Sequence, residues 1–285
     1  MTGLNNIVAF DETSDINQTS NYSLSIRLSA DGFSFCILDE IRNKYIGIKH
    51  FPIAFDPKHY PEKISEIFEN EEYLSRNYKK VRVLFQESRS TLIPLPLFDQ
   101  QHIKELAGFN FDSIEDETVL FNKIHKINSY TLFPVSLKIK ELIDKKFSNV
   151  QYFHQSQPLI ENALHQGKGK SNSDRIHISV TGNNIDICLI KSARFELFNS
   201  YSFSAIQDIL YYTLNLYEQF KISPDKSDLC LSGEIQKHDE LWTGFSRYIR
   251  NISLEIPSDI QSRSYKFNEL PVHAFTHFLN LPQCE

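Results

Sequence analysis

The residues most able to do chemistry in this chain are a run ending in Gly-Lys-Ser, a pair of histidines near the C-terminus, the cysteines and two acidic clusters. Gly167-Lys168-Gly169-Lys170-Ser171 ends like a phosphate-binding loop, in which backbone N–H groups cradle the anion and a lysine reaches it. That pattern requires a glycine at the position of Leu164, and the segment leaves a helical stretch to enter a strand, the reverse of the order such a loop needs, so it is expected to be a linker. His273 and His277 stand four apart, which on one C-terminal helix places both imidazoles on one face. A zinc hydrolase helix of H-E-x-x-H type needs a glutamate where this chain has Ala274, and with Phe275 and Phe278 alongside, packing is the expected role. Cys36, Cys188, Cys230 and Cys284 are far apart and form no C-x-x-C pair, so they are expected to be core thiols, with no disulfide framework and no metal site. Glu69, Glu71 and Glu72, and Asp112, Glu115, Asp116 and Glu117, are expected on solvated faces. No G-x-S-x-G elbow occurs, so hydrolase chemistry has no local signature.

Composition narrows the partners. The chain has 285 residues, 41% hydrophobic and 23% charged, enough for a real core and more comfortable as two domains than one. Its 36 acidic against 30 basic side chains give a formal charge of −6, which repels a nucleic-acid backbone at long range, so nucleic acid is not expected as a partner. No apolar run approaches the ~20 residues of a membrane span, and Met1 to Ser20 lacks the basic and apolar regions of a signal peptide, so a cytoplasmic, non-membrane-spanning protein is expected.

The elements that must position any site begin near Tyr22, after an N-terminal stretch 1–21 without sustained periodicity that is expected to be a flexible arm. Leu24, Ile26 and Leu28, then Phe33, Phe35 and Ile37, alternate on either side of Ala30-Asp31-Gly32, which predicts a β-hairpin; a third strand is predicted around Tyr45 to Ile48. The stretch from Ile176 lies on this one without a gap. Leu24, Ile26 and Leu28 fall on Ile176, Ile178 and Val180, Cys36 falls on Cys188, and Tyr45, Ile46 and Phe51 fall on Leu197, Phe198 and Phe203. Each copy continues with a helix and a strand. In the first, Pro61 opens a helix carrying Ile64, Ile67 and Phe68, followed by a strand Val81 to Phe85. In the second, Ser204 and Gln207 predict a capping box, Ile206, Leu210, Leu214 and Tyr217 a core stripe, and Leu229 to Leu231 a buried strand. The first half adds a strand at Thr131 to Phe133, a helix at Leu137 to Phe147, a strand at Val150 to Phe153 and a helix at Leu159 to Leu164, placing lobes at 22–170 and 171–285.

Two halves that each run three strands, helix, strand resemble the α/β actin-like ATPase architecture, with RNase H-like lobes, shared by actin, sugar kinases and pilus-assembly ATPase-like proteins. More closely, residues 22 to 285 resemble an uncharacterised bacterial family with that fold, domain-of-unknown-function family 3822. The resemblance implies a phosphate loop of pattern I-D-x-G-[ST] at each hairpin, whose Asp holds Mg²⁺. It falls on Ile26-Arg27-Leu28-Ser29-Ala30 and Ile178-Ser179-Val180-Thr181-Gly182, so Arg27 and Ser179 stand where the carboxylates belong. Ser29, Asp31, Gly32, Thr181 and Gly182 complete the two degenerate tips, and Ser232-Gly233-Glu234 keeps one glycine of the implied adenosine-side loop. Without its carboxylate anchors the metal that spreads charge in phosphoryl transfer is lost. The resemblance therefore implies a non-catalytic pseudo-ATPase that binds an unknown protein partner as a scaffold, with no cofactor beyond weak nucleotide binding. The rival expectation is an ATPase or phosphotransferase that takes its metal ligands from Asp31, Asp186 or Glu234.

Overall fold

The computed structural model of the chain describes residues 4–53, 56, 59–112, 115–166, 174–258 and 261–284. The Gly167–Ser171 run lies outside them. The chain divides into two compact units, the first comprising Leu4–Gln155 with Asp259–Leu270, the second Ser156–Ser258 with Pro271–Glu285. Among the described residues, no helix is long and apolar enough to cross a membrane.

The first unit is built on β1 (Ile7–Phe10), β2 (Tyr22–Ser29), β3 (Gly32–Asp39) and β4 (Lys44–Pro52), then α1 (Tyr60–Asn70) and β5 (Lys80–Gln86). An inserted segment follows, with β6 (Thr91–Pro94), α2 (Ile103–Gly108), β7 (Glu117–Ile124) and β8 (Ser129–Ser136), before α3 (Leu137–Lys146) and β9 (Val150–His154). The main sheet runs β1-β4-β3-β2-β5-β9, with a two-residue strand Ser262–Arg263 added to β4, and the insert forms its own small sheet β6-β8-β7. Alternation explains the core: Leu24, Ile26 and Leu28 pack with Ile64 and Phe68 of α1 and Ile139 and Ile143 of α3. The opposite row of β2, Ser23, Ser25, Arg27 and Ser29, is polar and equally buried.

Residues 7–10 are not the arm that weak periodicity predicts. Ile7 and Ala9 turn inward, Phe10 stacks on Tyr73 at 4.6 Å, and the strand pairs antiparallel with β4. Four residues are too few to declare an alternation, yet enough to cover a sheet edge.

The second unit holds α4 (Ser156–Gln166), β10 (Arg175–Thr181), β11 (Asn184–Lys191), β12 (Arg194–Ser202), α5 (Ile206–Gln219), β13 (Asp228–Gly233), α6 (Glu240–Ser246), β14 (Asn251–Leu254) and α7 (Thr276–Leu279). Its sheet runs β12-β11-β10-β13-β14. Ile176, Ile178 and Val180 pack with Ile209 and Leu216 of α5 and Leu241 and Phe245 of α6. The unit begins at Ser156 rather than at 171 because α4 is fastened into it: Asn162 Nδ2 donates to Glu255 Oε1, and Gln166 Nε2 reaches the same oxygen at 3.4 Å. Glu255 also faces His177 Nδ1 at 3.5 Å, and its carbonyl accepts from Thr276 Oγ1 at 3.0 Å.

Two further expectations shift here. The α5 cap is the Asp208 carboxylate, which accepts from the N–H groups of Ser204 and Ala205 at 2.9 and 3.0 Å, rather than a Ser204/Gln207 box. Its buried face is centred on Ile209, Thr213, Leu216 and Tyr217, with Ile206, Leu210 and Leu214 on the rim of the same core. Thr213 is tolerated inside because its hydroxyl donates to Ile209 O at 2.8 Å.

The two meanders repeat in register. Leu24 opposes Ile37 as Ile176 opposes Leu189; β2 lies parallel to β5 as β10 does to β13; and a bulge interrupts Ile37/Leu38 as another interrupts Leu189/Ile190. The third strand departs from the gapless match. Phe51 opposes Phe33 while Tyr201, not Phe203, opposes Ile185, because Glu40–Asn43 connects β3 to β4 where Ser192–Ala193 alone connects β11 to β12. A slip of two leaves every side chain on its own face, so alternation cannot reveal it.

Candidate functional site

At the first hairpin tip Arg27 is buried on β2 and its guanidinium binds Asp31 Oδ2 at 2.8 Å and Gln86 Oε1 at 3.3 Å. Ser29 Oγ donates to the other oxygen of Asp31, so the turn carboxylate is held from both sides by the chain's own donors. Burial pushes the Asp31 carboxyl up, but the Arg27 charge, the Ser29 hydrogen bond and His50 outweigh it and hold the group below its ordinary value. His50, buried on β4 with Nδ1 2.9 Å from Ser34 Oγ, is lowered to about 4 by burial first and by the Arg27 charge second, against the opposing pull of Asp31. It is neutral at pH 7. Tyr60 closes the tip from α1, its hydroxyl donating to Gly32 O at 3.1 Å. Gly32 has φ +143°, and a Cβ there would lie 2.1 Å from Phe51 O.

At the second tip Ser179 is buried on β10, directly across from Asp186 on β11 and Ser232 on β13. Among the described residues no partner reaches its hydroxyl. Asp186 is buried and accepts from Ser200 Oγ at 2.5 Å. Gly182 turns the chain with φ +55°, and its N–H donates to Glu234 Oε1 at 2.7 Å. Gly233, φ +87°, lets β13 come against β10: a Cβ there would lie 2.0 Å from Val180 O, and the next N–H, of Glu234, donates to that oxygen at 2.8 Å. The implied adenosine-side residues thus lie beside Gly182, and Ser232 Oγ shares a hydrogen bond with His277 Nε2 at 3.1 Å.

The structure thus gathers Arg27, Ser29, Asp31 and Gly32 at one tip, and Ser179, Thr181, Gly182, Ser232, Gly233 and Glu234 at the other. It adds Gln86, His50 and Tyr60, which no sequence motif marks, because parallel-strand register and helix placement bring them in from afar. The single C-terminal helix expected through His273 and His277 is instead a 3-10 turn, Val272–Phe275, followed by α7. His273 Nε2–H donates to Ile235 O at 2.6 Å while His277 meets Ser232, so the two imidazoles are fastened separately. Among the described residues no three His, Cys, Asp or Glu side chains gather to hold a metal ion. The four cysteines are buried free thiols. Two members of the acidic clusters are tied down rather than solvated, Glu71 to Lys49 at 2.5 Å and Glu117 to Arg89.

A magnesium nucleotide fits these residues poorly. A cation at the first tip meets the Arg27 guanidinium, and at the second the Gly182 N–H that would face a phosphate already holds a carboxylate.

A family model described as protein of unknown function (DUF3822) matches residues 11–252. No curated protein matches the chain. Among solved structures, a Bacteroides thetaiotaomicron protein with actin-like ATPase fold and unknown function is 25% identical, with a TM-score of 0.77 over 91% of this chain and 98% of its own. The PilM–PilN type IV pilus biogenesis complex gives a TM-score of 0.61 at 11% identity over 92% of this chain and 98% of that one.

Proposed function

The chain belongs to the family of proteins of unknown function DUF3822 and has the actin-like ATPase fold, and from that premise we propose that it is a pseudo-ATPase, a non-catalytic scaffold that binds a protein partner. The observation that carries this is the occupancy of both tips by the chain's own carboxylates. Asp31 takes the Arg27 and Ser29 donors, and Glu234 takes the Gly182 N–H. A phosphate group would have to displace a carboxylate at each tip, and at the first would leave the buried Asp31 carboxylate without its Arg27 and Ser29 donors. Phosphoryl transfer depends on positioned cations and preorganised donors, and here those donors are spent inside the protein. PilM, which shares the fold, is solved in complex with PilN, in keeping with a protein partner for this chain.

Thermal denaturation with and without Mg-ATP tests the proposal. Ligand at a hundredfold excess over its dissociation constant stabilises a binding protein by about 2.7 kcal/mol. No shift is expected up to millimolar Mg-ATP. A shift that requires Mg²⁺ and disappears in Asp31→Asn or Asp186→Asn would overturn it in favour of an ATPase or phosphotransferase with unusual ligands.

A further inference from the structure

The small sheet of the first unit is joined to the main sheet by side chains. Asn122 on β7 grips the backbone of β9, its Nδ2 donating to Tyr152 O at 2.7 Å and its Oδ1 accepting from His154 N at 3.0 Å. The His154 ring lies 5.2 Å from Phe133 of β8, and its Nε2–H donates to Glu87 O at 3.0 Å. Gln155 Nε2 donates to the same carbonyl at 2.6 Å. At this joint one guanidinium serves two carboxylates. Arg89 binds Glu117, the first residue of β7, through both terminal nitrogens, one at 2.9 Å to Oε2. It reaches Glu87, the residue after β5, only at 3.8 Å.

The Glu87 and Glu117 side chains are 33% and 19% exposed, so water screens neither fully. A cation committed to one carboxylate leaves the other to take up a proton. Burial, helped by Glu117 and opposed by Arg89, raises Glu87 to about 7. The other titratable groups facing this joint hold their charge near neutrality: His154 is kept neutral by burial, lowered to about 4, and burial raises the phenol of Tyr60, at the start of α1, well above its ordinary value.

We propose that Glu87, Arg89 and Glu117 form a proton-dependent clasp, which holds the small sheet against the main sheet while Glu87 is protonated and loosens it when both carboxylates are charged. The closed joint binds the Glu87 proton more tightly than an opened, solvated one. Opening therefore gains as pH rises from the ordinary carboxylate value to about 7 and levels off above it. One linked proton changes the opening equilibrium by at most about tenfold per pH unit.

Amide hydrogen exchange of the full chain between pH 5 and 8, corrected for intrinsic rates, reads this in β6 and β7. The wild type should open progressively up to pH 7, Glu87→Gln should show no pH dependence, and Glu117→Gln, which frees Arg89 for Glu87, should shift the midpoint downward. A flat wild-type profile, or the wild-type slope persisting in Glu87→Gln, overturns the clasp. Should the variants fail to fold, the Glu87 carboxyl carbon titrated by NMR in the wild type decides: a midpoint near 7 supports the clasp, and one below 5 ends it.

Discussion

Arg27 shows how one side chain can redirect a whole site. Where a carboxylate would draw in a cation, a buried guanidinium draws in Asp31 instead, and the turn folds back on its own strand. Removing one member of a buried pair leaves an uncompensated charge, so Arg27→Met should destabilise the chain by about 3–5 kcal/mol. Arg27→Met with Asp31→Asn should recover most of that loss, and urea unfolding of the four members of the cycle checks it. His154 makes a second prediction. Its folded-state value lies near 4 against the usual 6.5, so on acidification the unfolded chain takes up a proton that the folded chain refuses. From this group stability should fall by about 1.4 kcal/mol per pH unit between about pH 6.5 and 4, beside a like fall from His50 and an opposing rise from Glu87, so His154→Gln should lose that one-proton share of the slope in melts across this range and keep the rest.

At the scale of elements, the alternating rows of β2 and β10 explain why these strands are central: an apolar row meets helices, and the opposite row is polar and equally buried. Glu255 shows what such polar burial achieves, since its carboxylate ties α4 to β10 while its backbone carbonyl holds Thr276 of the C-terminal segment. Glu255→Ala should cost about 3–5 kcal/mol, with the amides of α4 the first to gain exchange in deuterium labelling. The hairpins, α1, α3 and β13 were legible from period and turn residues alone. The cap of α5 was not, because Ser204 with Gln207 and Ala205 with Asp208 are one residue apart, and only the carboxylate's approach to the two N–H groups chooses between them. The buried face of that helix was misplaced for a related reason: its apolar residues span a broad arc, and the sheet it meets selects the centre.

For the whole molecule the decisive feature is that neither unit is a continuous stretch of chain. Phe267, from the returning segment, is buried and lies 6.4 Å from Tyr45, and Ser262 and Arg263 extend the sheet beside β4. Phe267→Ala should therefore cost about 3–5 kcal/mol. A fragment of residues 4–155 should melt well below the full chain by circular dichroism and regain stability when a peptide of residues 259–270 is added. The boundary expected at 170/171 followed composition, which marks a polar linker wherever it falls; the fold follows packing, which assigns α4 to what comes after it. By itself, the amino-acid order determined the central strands, the repeated meander and the presence of Arg27 and Ser179 rather than carboxylates on β2 and β10, because these depend on residues close along the chain. Tertiary structure alone decided that Asp31 and Glu234 fill the donors left behind, that Glu255 fastens α4, and that the second meander's connection is two residues shorter. The Glu234 and Glu255 contacts join residues distant in sequence, the shorter connection rests on a register shift of even length, and the Asp31 contact rests on how the hairpin turn aims its carboxylate; periodicity carries no information about any of the three.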